Sequence, residues 1–239
     1  MTRLYIRIIS LIIFLLFYLN SKAQVYYDDA QVWFNLYLEK KIGKRFDVHL
    51  NQQDRFVNNV SQYGLGYADV GITYKFTKNI KLLVDYVYIA KRRNLPYFKM
   101  RHQYYAALIF KKDIGFWRIS YRNMFQCQYN SPMRSNDGYI PYYYDRNKVT
   151  IKYQASKRFD FYAAEEVNIP LNNPQIKGLS RSRSFLGMFI TTRKNQQLEF
   201  YYMYQVQLQK GDWYNQDMSH RDKLLTRKFV YGIGYQIQF

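Results

Sequence analysis

The last eleven residues, Phe229 to Phe239 (FVYGIGYQIQF), alternate strictly between large apolar side chains and small or polar ones. Side chains of an extended strand point to opposite faces in turn. Phe229, Tyr231, Ile233, Tyr235, Ile237 and Phe239 therefore share one face, and Val230, Gly232, Gly234, Gln236 and Gln238 share the other. One face suits hydrocarbon, the other a crowded polar interior.

The opposite end names a compartment. Met1 to Ala23 carries Arg3 and Arg7, then an apolar run from Ile8 to Leu19, then Ser21, Lys22 and Ala23. That order is the pattern of a secretory signal peptide, with cleavage expected after Ala23 and a mature domain over residues 24–239. An uncleaved anchor competes, but the apolar stretch falls short of the roughly 18 to 20 residues a spanning helix needs. No cysteine stands near the expected cut, which argues against a lipid-anchored lipoprotein.

The mean hydropathy of −0.46 and the lack of a later apolar run long enough to cross as a helix turn attention to strands. Aromatic residues make up 20% of the chain, with 27 tyrosines, more than an ordinary soluble core keeps hydrogen-bonded. Tyrosine is favoured where one end of a side chain meets hydrocarbon and the other water, as in the aromatic girdles of membrane barrels. The single Cys127 makes no internal disulfide, so backbone pairing has to hold the fold.

Strand-like runs recur from Gln31 to the end with no domain boundary between them. Leu198, Phe200, Tyr202, Tyr204, Val206 and Leu208 oppose Glu199, Tyr201, Met203, Gln205 and Gln207; Ala68, Val70, Ile72, Tyr74 and Phe76 oppose Asp69, Gly71, Thr73 and Lys75. Eleven such runs are visible, most near the 9 to 11 residues, or about that, of a tilted transmembrane strand. Short connections (Gly43 to Arg45, Thr77 to Asn79, Lys112 to Phe116, Ser156 to Arg158, Arg193 to Gln196) alternate with longer ones, notably Asn130 to Asn147. Short periplasmic turns with long external loops are the habit of outer-membrane barrels. A soluble sandwich or lipocalin-like barrel also alternates, but with its apolar face inward. Strand length, the aromatic carboxy terminus and mid-strand charges favour the inside-out arrangement. The expected fold is an all-β transmembrane antiparallel barrel of about 10–12 strands. An even number is usual with both termini in the periplasm, so eleven runs leave the amino-terminal segment Gln24 to Ala30 unplaced.

The mid-strand charges Asp69, Asp85, Arg118, Arg122, Lys152, Glu166 and Glu199 form an expected lumen cluster. They either fill and stiffen a narrow interior or line a small pore, and the size of such a barrel favours filling. Histidine chemistry is sparse. His49 shares a face with Asp47, Asn51, Gln53 and Arg55, His102 opens a strand, and His220 lies in the last loop. Ser120 is a lumen-facing serine between Arg118 and Arg122, yet no Gly-x-Ser-x-Gly or comparable nucleophile element is present, so no catalytic residues are expected. One cysteine and three scattered histidines give no zinc-type spacing, and no cofactor or metal is expected.

The net charge is +19, or +16 without Met1 to Ala23. Its bases mark strand ends, among them Lys40, Lys41, Lys44, Arg45, Lys78, Lys112, Lys157, Arg158, Arg193 and Lys194 at the short turns. Such rims suit the phosphates of outer-membrane lipids and lipopolysaccharide. They do not form the continuous stripe of a nucleic-acid binder, and no nucleic-acid partner is expected.

Gly234, Ile237 and Phe239 keep the spacing glycine, two residues, apolar, one residue, aromatic end. It resembles the signal read by the barrel assembly machinery, although Gly232 stands where a polar residue is usual. The segments Trp33 to Phe56 (WFNLYLEKKIGKRFDVHLNQQDRF) and Tyr67 to Tyr88 (YADVGITYKFTKNIKLLVDYVY) resemble an uncharacterised family of outer-membrane barrels, domain of unknown function 2490. That resemblance implies location and architecture and no defined activity. The functional expectation is a structural or interaction barrel with a largely filled polar lumen, with a narrow solute channel second and a lipid-modifying enzyme third. Its external ligand is not legible in the residues.

Overall fold

A computed structural model describes residues 26–92, 97–129, 141–172, 178–210 and 223–239. The expected signal peptide, most of the Asn130 to Asn147 loop and His220 lie outside them. Eleven strands follow one another: β1 (Tyr26–Ile42), β2 (Phe46–Val57), β3 (Gln62–Lys75), β4 (Ile80–Arg92), β5 (Phe98–Ile114), β6 (Trp117–Tyr129), β7 (Tyr142–Gln154), β8 (Phe159–Pro170), β9 (Arg181–Arg193), β10 (Gln196–Lys210) and β11 (Lys223–Gln238). Each pairs antiparallel with the next, and β1 closes the cylinder against β11.

Closure explains the odd count. An antiparallel meander of eleven strands brings its first and last strands together pointing the same way, and β1 and β11 indeed pair in parallel from Tyr26↔Leu225 to Glu39↔Gln238. No twelfth crossing is needed from the amino-terminal segment. Tyr26 to Ala30 instead lengthens β1 upward, where Arg227 grips Asp28 through two 2.6 Å hydrogen bonds. The β2–β3 turn folds over the same stretch: the Asn59 amide donates to Asp29 Oδ1 at 3.0 Å and the Val60 amide to the Ala30 carbonyl at 3.1 Å. The sequence predicts a longer connection over Val60 to Gly66; the turn is tighter, and Gln62 to Gly66 belongs to β3. Asn58, Asn59 and Val60 all have positive φ, a strained conformation for the branched Val60 that these bonds hold in place.

Exposure decides the orientation of the faces. Val70 is 55% exposed and its neighbour Asp69 6%; Tyr231 is 57% exposed and Val230 0%. Phe34, Leu36, Ile72, Val84, Ile119, Phe125, Ile151, Phe161 and Ile233 join the outward apolar band, while Gln31, Asp47, His49, Gln53, Thr73, Asp85, Gln103, Gln126 and Glu166 are buried within. A water-soluble barrel inverts this distribution; a barrel in lipid requires it. Closing the sheet also removes the exposed edges that a lipid phase does not tolerate.

Near mid-height the interior is apolar as well. Trp33, Met203 and Val230 form a small buried cluster packed by Phe185 and Tyr201. Gly232 lies opposite both Trp33 and Tyr201, and a Cβ there would stand 2.0 Å from the Tyr201 ring, so glycine is what lets that ring lie flat on β11.

Candidate functional site

Above the Trp33 cluster, toward the long-loop end, the lumen opens into a cavity of about 880 Å³. Among the described residues its wall carries ten bases, Arg55, Lys91, Arg92, Arg101, Arg122, Arg146, Lys148, Arg181, Arg183 and Lys228, against the three acids Asp29, Asp69 and Glu166. Strand register builds this wall. Arg122 lies opposite Lys148, Lys148 opposite Glu166, Glu166 opposite Arg183, Arg183 opposite Gln205, Gln205 opposite Lys228 and Lys228 opposite Asp29, a single cross-strand row from β6 around to β1.

Glu166 is the hub of the row. Its Oε2 accepts from Arg122 at 2.6 Å, and its Oε1 accepts from Arg146 at 2.7 Å and Arg183 at 3.0 Å. Amide oxygens orient what remains of the guanidinium groups: Arg183 Nε donates to Gln205 at 2.8 Å and Arg146 to Gln126 at 3.0 Å. Arg55 donates to Gln53 at 2.6 Å and lies over the Trp33 ring, 3.7 Å from its centroid, an attraction between cation and π face. Lys148 sits in the same relation to Phe185 at 4.1 Å. Three arginines on one carboxylate leave a large positive excess facing the cavity, and guanidinium forks suit carboxylate and phosphate oxygens.

At the floor of the cavity and below it, side chains pair across the lumen. His49 Nε2 meets Asp85 Oδ1 at 2.9 Å, Tyr105 donates to Asp69 at 2.9 Å, Tyr162 donates to Glu199 at 2.6 Å, and Lys75 holds Asp47 at 2.6 Å. The seven expected lumen charges therefore separate. Arg122 and Glu166 meet in the upper row and Asp69 and Asp85 share a lower group, whereas Lys152 pairs with Asp160 and Glu199 with Tyr162. Arg118 belongs to neither group: it pairs with Asp113 at the β5–β6 turn, both side chains about half exposed (48% and 56%). Alternation gives a residue's face and not its height, so the sequence alone cannot separate Arg118 from the others. Arg146 and Arg183, two of the three partners of Glu166, went unrecognised because their meeting depends on register across three strands. Ser120 lies on β6, four strands from the β2 histidine that an acyl-transfer reading would need.

At the carboxy terminus, Gly234 packs against Glu199, Ile237 lies opposite Leu38 and Gln196, and the Phe239 amide donates to the Glu39 carbonyl at 2.8 Å. β11 is paired on both sides in the finished barrel.

A family model described as "Protein of unknown function (DUF2490)" matches residues 30–216. The chain belongs to this family. The DUF2490 barrel is also similar to a solved NanC porin, with a TM-score of 0.54 and 11% identity over 88% of this chain and 99% of that one. At that identity the likeness concerns the fold, and it agrees with a transmembrane barrel. No curated protein matches the DUF2490 chain.

Proposed function

We propose that this DUF2490 protein is an outer-membrane barrel that takes up small anionic solutes from its long-loop end and conducts them as a narrow, anion-selective channel. The observation that carries this reading is the cavity wall, with its ten bases over three acids. A low-dielectric cavity lined by one sign of charge concentrates counter-ions and excludes co-ions. The fold shared with a protein described as a porin supports it. A second reading has its own observation. Ion pairs reach across the lower lumen, His49 with Asp85 and Asp47 with Lys75, which favours a stoppered structural barrel that binds anions without passing them.

Planar-bilayer recording under a salt gradient separates the two. A channel gives discrete steps and a zero-current potential of the sign set by anion flow, and the double variant K148E/K228E, two wall bases outside the Glu166 ion pairs, shifts that potential toward cation preference. A flat trace at every voltage supports the stoppered barrel instead.

The same reading includes export through a signal peptide cut after Ala23, and insertion by the barrel assembly machinery through Gly234, Ile237 and Phe239. An edge strand in transit offers the free backbone groups that strand addition uses. The exposed bases at the short turns would meet phospholipid phosphates, and cations of the long-loop rim the lipopolysaccharide. No catalytic role is proposed.

A further inference from the structure

His49, Asp69 and Asp85 come from three adjacent strands, β2, β3 and β4, and the register explains their meeting. His49 lies opposite Gly71, and Gly71 lies opposite Asp85. Because Gly71 has no side chain, its two neighbours close over it: a Cβ there would stand 1.2 Å from Asp85 Oδ1 and 2.8 Å from His49 Nε2. Asp69, two residues earlier on β3, shares the lumen face of Gly71. One ligand atom from each of His49, Asp69 and Asp85 falls within 4.8 Å of the others, and all three residues are buried.

Their hydrogen bonds leave this group incomplete. Tyr105 supplies one bond to Asp69 Oδ2, and the Tyr37 ring stacks on the imidazole at 5.6 Å and 28°, which fixes its plane. Asp69 Oδ1 and Asp85 Oδ2 have no hydrogen-bond partner among the described residues, and both belong to side chains more than nine-tenths buried. Two carboxylates side by side at the buried margin of the cavity repel each other, and burial makes each unpaired oxygen costly. A dication placed among them satisfies both at once.

The geometry points to a divalent-metal site of the zinc class, held by His49 Nε2 and one oxygen each of Asp69 and Asp85. Tetrahedral ligands about 2.0–2.1 Å from zinc stand roughly 3.3 Å apart, so small side-chain rotations from the present positions are enough. One imidazole and two carboxylates suit a borderline dication; calcium demands more oxygens and monovalent copper demands sulfur. The metal pins β2, β3 and β4 together on the lumen side. This site stands whether or not the cavity it borders conducts.

The test uses tag-free processed protein refolded in detergent micelles, loaded with zinc, dialysed, and analysed for metal content. One zinc per chain is expected, with loss in H49Q and retention in the control H102Q, whose histidine bonds Tyr86 instead. Cobalt loaded in place of zinc should show visible absorption of a low-symmetry nitrogen and oxygen site, a readout on the wild-type protein that does not depend on any variant folding. Substoichiometric zinc after dialysis, zinc that survives H49Q, or cobalt with only its aqueous spectrum overturns the proposal.

Discussion

Replacing Glu166 with glutamine is expected to destabilise the barrel by about 3 kcal/mol, the lower part of the range for removing one partner of a buried ion pair. The carboxylate is 3% exposed and is bonded by three arginines. Glutamine keeps one acceptor oxygen and the shape, but loses the charge that Arg122, Arg146 and Arg183 all bond in a wall already rich in bases. The low end of the range applies because Arg122 is partly exposed and the cavity admits solvent. The urea midpoint followed by heat-modifiable gel mobility measures the change. Raising the salt concentration should restore part of the loss, because screening acts on repulsion among the freed cations. Asp113→Asn, which breaks only the exposed pair with Arg118, should leave the midpoint where it was. An unchanged midpoint in E166Q would mean that the row of charges does not hold the upper barrel.

Arginine at Val70 is the second large effect. Val70 lies in the middle of β3 on the outward face, with Leu50 and Tyr86 beside it on the neighbouring strands. A guanidinium there must enter hydrocarbon, at a cost of about 2–4 kcal/mol at the bilayer midplane and near 0–1 at the interfaces. V70R should therefore fold into bilayers with a clearly lowered stability, whereas F116R, at the β5–β6 turn, should scarcely differ from wild type. Equal effects at the two positions would contradict the placement of Val70 at mid-membrane. Urea titration of each variant in lipid vesicles gives the comparison.

Much of the architecture was legible because it is local. Period two assigns Val70 outward and Asp69 inward without knowledge of any partner strand, and the same holds along β6, β10 and β11. Pairing is not local. Nothing in YYDDA marks Tyr26 to Ala30 as strand, since Asp28 and Asp29 look like loop residues until Arg227 and the Asn59 amide supply their partners from distant parts of the chain. The parallel closure of β1 on β11 followed from the odd strand count only once every run proved to be a full strand. For the cavity, Glu166 and Arg122 are visible in the sequence as charges on a polar face, while Arg146 falls in an expected loop because the aromatic and polar residues before it resemble one. His49, Asp69 and Asp85 carry no metal-type spacing signal in the sequence, because each comes from a different strand and only register brings them together. The glycine between two of them, Gly71, was read only as a small inward residue, yet it is what brings the two side chains together.

The central claim is that apolar side chains face acyl chains and charged ones face the enclosed lumen. Single cysteines introduced in a C127S background at Asp69, Val70, Ile72, Thr73, Gln103 and Tyr104, labelled with an environment-sensitive fluorophore and reconstituted with brominated lipid, test it most directly. Quenching should be strong at 70, 72 and 104 and weak at 69, 73 and 103; a uniform profile, or one with the opposite phase, would contradict the account.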